Sequence, residues 1–169
     1  MKRLALLTLC LFFLNALSAQ EDSGRHTFDD IYLINLSVGH IGVFDNLDNP
    51  EQYGLEVRGK KFSRFNLIPT FGYLWTENDS DYYYTELKYD HALNERWVMT
   101  SSLGVGLFHQ SEEIDLGHSV EFRSGIEFAR VFENNYRLGA AFYHLSNSRL
   151  SSDNPGTESL VISFSIPMF

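Results

Sequence analysis

His144, Ser146 and Glu158 bring an imidazole, a hydroxyl and a carboxylate within a span of fifteen residues. Together these groups can hydrolyse an ester. A serine hydroxyl is a weak nucleophile at neutral pH because it keeps its proton. An imidazole beside it removes that proton and later hands it to the leaving alcohol. A carboxylate fixes the imidazole tautomer and stabilises the imidazolium. Asn154, between Ser146 and Glu158, can offer an amide N–H to the oxyanion that forms on the carbonyl. The same residue types also suit a polar collar where a barrel leaves a membrane. The elements that carry them therefore bear on what they can do.

Those elements read as strands, in which alternate residues share a face. Tyr136, Leu138, Ala140 and Phe142 share one face, and His144 and Ser146 continue it. Glu158 shares its parity with Leu160, Ile162 and Phe164. The two segments are joined by one loop and pair as a hairpin. All three polar groups then fall near one end of its oily face. In a soluble core that placement would be costly.

Six further segments alternate in the same way, at about 30–44, 53–60, 65–75, 83–90, 97–107 and 120–128. Eight such strands fit two architectures. One is a soluble lipocalin-like barrel with an apolar interior. The other is a transmembrane barrel with an apolar exterior. The polar face distinguishes them. It combines small residues (Gly104, Gly106, Gly125, Gly139) with ionisable pairs, Glu56 with Arg58, Glu86 with Lys88 and Glu121 with Arg123. That suits the interior of a narrow outer-membrane barrel. Trp75, Tyr82, Trp97 and Tyr136 lie at strand ends, where interfacial girdles form. The expected fold is an all-β, eight-stranded antiparallel transmembrane outer-membrane β-barrel. Its apolar parity is expected to face lipid, so the three polar groups are aimed outward, near the polar edge of a leaflet.

Residues 1–19 differ in kind. Lys2 and Arg3 precede an apolar run over 4–14, and small residues follow at Ala16, Ser18 and Ala19. This predicts a secretory signal peptide cleaved near Ser18 or Ala19, leaving 20–169 as a single barrel domain. The one cysteine, Cys10, falls inside it, which leaves no thiol nucleophile or thiolate ligand. Loss of Lys2 and Arg3 takes the formal charge from -9 to -11, which opposes nucleic-acid binding. No later apolar run approaches the roughly 20 residues of a membrane helix.

An exported barrel with an even strand number keeps both termini in the periplasm. The turns near 61–64, 91–96 and 132–135 then face the periplasm, and the loops after odd-numbered strands face outward. Those loops carry Asp45, Asp48, Glu51, Glu77, Asp79, Asp81, Glu112, Glu113, Asp115 and Asp153. None spaces its carboxylates like a calcium loop, so they read as solvated tips. His26, His40, His91, His109 and His118 show no metal-ligand spacing, and no metal is expected.

The segment Tyr143-His144-Leu145-Ser146-Asn147, followed by Asn154-Pro155-Gly156-Thr157-Glu158, resembles the C-terminal signature of the lipid A 3-O-deacylases, the PagL family of Gram-negative outer membranes. That signature is H-x-S-N followed by N-x-G-x-E, with His and Glu fourteen positions apart, as they are here. The resemblance is close in the last third of the chain. It implies an eight-stranded outer-membrane barrel that hydrolyses the ester-linked 3-hydroxyacyl chain at position 3 of lipid A in lipopolysaccharide. It implies a Ser146–His144–Glu158 triad at the extracellular side, facing lipid. It further implies oxyanion or substrate-positioning roles for Asn154, Asn147 and Gly156, and no metal or organic cofactor. A homodimer is compatible with it. The competing readings are a non-catalytic small barrel that binds lipopolysaccharide or stabilises the membrane, and an acyltransferase on the same architecture. One further expectation concerns the C-terminus. Phe169 is out of step with Ile162, Phe164 and Ile166, which predicts a bulge near Pro167.

Overall fold

The computed structural model describes residues 28, 30–44, 49–62 and 64–168. The expected signal peptide, His26, Asp45, Asp48 and Phe169 lie outside the described residues. Eight strands form among them: β1 (Tyr32–Ile41), β2 (Glu51–Arg58), β3 (Ile68–Thr76), β4 (Asp81–Ala92), β5 (Trp97–His109), β6 (Val120–Val131), β7 (Arg137–Ser146) and β8 (Thr157–Met168). Each pairs antiparallel with its sequence neighbour, and β1 pairs with β8, so the sheet closes into a barrel. Closure leaves no unpaired edge, the condition a β-structure must meet in hydrocarbon.

Exposure follows parity. Leu36, Val38, Leu55, Val57, Phe71, Leu87, Leu103, Val105, Phe128, Leu138, Ile162 and Phe164 face outward and are exposed. The alternate residues face a filled interior with three layers. At the end carrying the loops after β1, β3, β5 and β7, Ile41, Leu74, Tyr82, Phe108, Leu145 and Val161 pack together with Ile114 and Leu116 from the loop after β5. At the opposite end Val98, Ala129 and Val131 pack against Phe28. Charges occupy the middle. Glu56 takes Arg58 at 3.0 Å and Lys88 and Arg123 at 3.4 Å; Arg58 also reaches Glu127 at 2.8 Å and Arg123 reaches Glu86 at 2.6 Å. Arg137 pairs with Asp90 at 2.8 Å. Pairing of this kind is what lets ions sit away from water. Gly72 and Gly125 leave the room that Tyr84 and Tyr143 fill, and the Arg123 guanidinium lies over both rings, 4.4 and 3.4 Å from their centroids.

Several expectations need correction. The first strand stops at Ile41 rather than residue 44, because Gly42 adopts φ +78 and turns the chain away. The third starts at Ile68 rather than 65, because Asn66 at φ 54 sits in a turn closed by a Phe62–Leu67 bridge. Tyr82 does not join a girdle: it is 0 % exposed and points inward, and its hydroxyl donates to the Glu121 carbonyl. Its outward neighbour Tyr83 stacks with Tyr73, which stacks with Trp75. Glu121 is not paired with Arg123, which bonds instead across the barrel. No bulge occurs at Pro167: it pairs in register with Leu33, and Met168 with Tyr32. Loop length does not separate the two ends sharply. The connection 77–80 is a tight turn, whereas 59–67 at the opposite end is long.

Candidate active site

The β7–β8 register places His144 directly opposite Glu158. Both side chains point outward, and His144 Nδ1 lies 3.0 Å from Glu158 Oε1. The imidazole is 43 % exposed and the carboxylate 23 %. The inward neighbours Tyr143, Leu145, Thr157 and Ser159 are buried and fix the hairpin to the barrel wall. A neutral imidazole that donates Nδ1–H to a carboxylate keeps Nε2 as its basic nitrogen. Ser146 ends β7 on the same face as His144, opposite Phe122. No hydrogen bond joins it to His144 among the described residues. Two positions along a strand is roughly 7 Å, and a nucleophile–base contact is often longer in a ligand-free site than in a complex.

The connection 147–156 is held by Asn147, which is fully buried. Its amide nitrogen donates to the carbonyls of Leu116 and Asp153 at 3.0 and 2.9 Å, and its oxygen accepts from Arg149 N–H at 2.9 Å. With its side chain so engaged, Asn147 fastens the site loop to the loop after β5 rather than facing a substrate. Its backbone N–H donates to Asn154 Oδ1 at 3.0 Å. That fixes the oxygen end of the Asn154 amide and leaves its nitrogen as the end available to a ligand. Gly156 has φ +67, and a Cβ there would stand 3.1 Å from Leu145 O and 3.2 Å from His144 Cε1. Any larger residue would press on the imidazole while strained in the left-handed region.

Two contributors lie outside the H-x-S-N and N-x-G-x-E segments. The N–H groups of Gly42 and Val43 donate to the Glu158 carbonyl at 2.8 and 3.3 Å. The loop after β1 thus abuts the carboxylate's backbone. Phe44, next in that loop, packs its ring against Phe142. The signal for both was the Gly42-Val43-Phe44 run continuing an apolar pattern past the strand's end.

A closed barrel with a charged interior and an apolar outer wall defines an outer-membrane-type β-barrel. The chain belongs to the lipid A 3-O-deacylase (PagL) family, whose model matches residues 52–167. The crystal structure of the outer membrane enzyme PagL is similar, with a TM-score of 0.64 and 22% identity over 80% of this chain and 99% of that one. A de novo designed transmembrane β-barrel is similar at a TM-score of 0.57 and 11% identity, over 84% of this chain and 98% of that one. Comparison with curated proteins returned no match. Fold and family together put this chain among outer-membrane barrels and among lipid A deacylases.

Proposed function

We propose that this protein is a serine esterase of the outer leaflet that removes the ester-linked 3-hydroxyacyl chain from position 3 of lipid A. The observation that carries the reading is the His144–Glu158 hydrogen bond on the lipid-facing wall, with Ser146 on the same face. Its substrate would arrive sideways through the membrane, since apolar side chains and ion pairs fill the barrel interior. Residues 1–19 serve as the export signal, and the loops after β1, β3, β5 and β7 face the cell exterior. The active site is therefore extracellular and faces lipid.

In this mechanism Ser146 Oγ attacks the ester carbonyl carbon while His144 Nε2 takes its proton. Charge moves onto the carbonyl oxygen, where the Asn154 amide nitrogen donates a hydrogen bond. The tetrahedral species collapses, the carbon–oxygen bond to the sugar breaks, and His144 returns the proton to the sugar hydroxyl. Water, deprotonated by the same imidazole, then attacks the acyl–serine carbonyl; the acyl carbon–Oγ bond breaks, the imidazolium returns its proton to Ser146 Oγ, and a 3-hydroxy fatty acid leaves. Glu158 stays ionised and orients the imidazole throughout. Asn147 keeps the loop folded, and Gly156 leaves clearance for the imidazole.

Mass spectrometry of lipid A tests this directly. Cells expressing the intact protein should lose one 3-hydroxyacyl group from position 3. Ser146→Ala should abolish that loss, by about 10³-fold or more, while the barrel still folds. Unmodified lipid A in cells holding folded wild-type protein would defeat the proposal and favour a non-catalytic barrel.

A further inference from the structure

The loop leaving β1 carries an aromatic ring to the membrane side of the site. Gly42 turns the chain out of the strand, the Gly42 and Val43 N–H groups bind the Glu158 carbonyl, and Phe44 follows. The Phe44 ring centroid lies 5.9 Å from that of Phe142, tilted by 46°. To make this contact Phe44 crosses β8, because Phe142 pairs with Leu160 and Leu160 with His40 on β1. Phe142 shares the face of His144, two residues toward the barrel middle, roughly 7 Å along the strand. Phe44 remains 77 % exposed and Phe142 38 %.

We propose that Phe44 and Phe142 form an aromatic clamp on the proximal part of the ester-linked acyl chain, and that this contact selects which chains are cleaved. The inference rests on the esterase reading above. A chain whose carbonyl sits at Ser146 must run from the His144–Glu158 pair into the apolar layer. The row below that pair is Phe142 and Leu160, with Phe44 lying across it. A single exposed ring is ordinary on a protein surface. This one differs because the two residues before it, Gly42 and Val43, are anchored on the carbonyl of Glu158, and its ring reaches the strand that carries His144.

Within a bilayer, moving an acyl chain from neighbouring lipid tails to an apolar wall gains little hydrophobic free energy. What two rings supply is order. They restrict the carbons next to the ester, so the carbonyl is presented to Ser146 in a reactive orientation. The clamp therefore responds to chain shape near the ester rather than to the distal end.

The test uses the full-length protein in mixed micelles with two lipid A preparations. One carries a straight ester-linked chain, the other the same chain methyl-branched near the ester. Released fatty acid is followed by mass spectrometry. The wild type should favour the straight chain. Phe44→Ala should lower kcat/KM for that chain about tenfold, and the straight-to-branched ratio should fall toward one. Phe142→Ala should act similarly, the double variant should add little, and Phe44→Leu should restore part of the ratio. Should Phe44→Ala not fold, Phe44→Leu and Phe142→Ala carry the comparison. Variants that slow both substrates equally and keep the ratio would overturn the clamp, because loop anchoring alone would do that. So would a wild type indifferent to the branch. A wild type that releases acid from neither preparation defeats the esterase reading itself.

Discussion

Carboxylates and bases meet in two regions of this barrel, with opposite consequences. Inside, Glu56 is surrounded by Arg58, Lys88, Arg123 and the Tyr84 hydroxyl, all within 3.4 Å. On the lipid-facing wall Glu158 meets one imidazole, through one hydrogen bond at 3.0 Å. Glu56 has spent its hydrogen-bonding capacity on these neighbours, so it ties strands together and has little left for a substrate. Among the described residues, the wall pair leaves His144 Nε2 and the Ser146 hydroxyl without hydrogen-bond partners. What separates the structural carboxylate from the one proposed to act in catalysis is the partner left unfilled, not the residue type.

The largest effect that would sharpen this contrast is on the wall. Glu158→Gln keeps the side chain's size but removes the charge that stabilises an imidazolium, and its amide can hold the wrong tautomer. Deacylation should fall about 10³- to 10⁴-fold, or roughly 4–5.5 kcal/mol of barrier. Thermal and denaturant stability should stay near wild type, because the side chain is partly exposed and makes one bond. A variant with near-normal turnover in a quantitative lipid A assay would break the comparison from the catalytic side.

The interior should show the reverse pattern. Glu56→Gln removes the charge shared by three cations and points amide hydrogens at donors. Breaking a buried ion pair from one side costs about 3–5 kcal/mol of stability. The urea midpoint for unfolding from lipid vesicles should drop accordingly, read by the mobility difference between heated and unheated protein on gels. Turnover per folded molecule should change less than about twofold, since Glu56 faces the barrel centre and touches nothing on the wall. Lost activity in fully folded protein would mean that the two regions are coupled.

Parity carried much of this into the sequence. Because side chains alternate strictly, the oily face of the last two strands could be read, and with it the outward aim of His144, Ser146 and Glu158. The pairing of His144 with Glu158 was less legible. Register across a ten-residue connection depends on how 147–156 folds, and that rests on Asn147 reaching Leu116 in another loop. Asn147 thus looked like a substrate contact in the motif but is a loop fastener in three dimensions. Tyr82 departs from the girdle expectation for a related reason. Its position at a strand end suggested a girdle, yet its parity pointed inward, where the barrel mouth is closed by aromatic packing. The Phe44 contact was illegible because it needs the β1–β8 closure, which joins the two ends of the chain.

Glu121 supplies the smallest and most discriminating case. It is buried and inward like Glu56, but neither carboxylate oxygen has a hydrogen-bond partner among the described residues. The expectation that Arg123 would serve it fails because that guanidinium is taken by Glu86 and Glu56. Among the described interior groups, Glu56, Glu86, Asp90, Glu121 and Glu127 face Arg58, Lys88, Arg123 and Arg137, so Glu121 is the acid in excess. Glu121→Gln leaves four acids against four bases and breaks no protein contact. Its stability should shift by no more than about 1 kcal/mol, toward greater stability, because it relieves an uncompensated buried group. The same vesicle unfolding measurement applies. A loss approaching that of Glu56→Gln would show that burial alone, rather than the partners a carboxylate holds, sets its worth in this barrel.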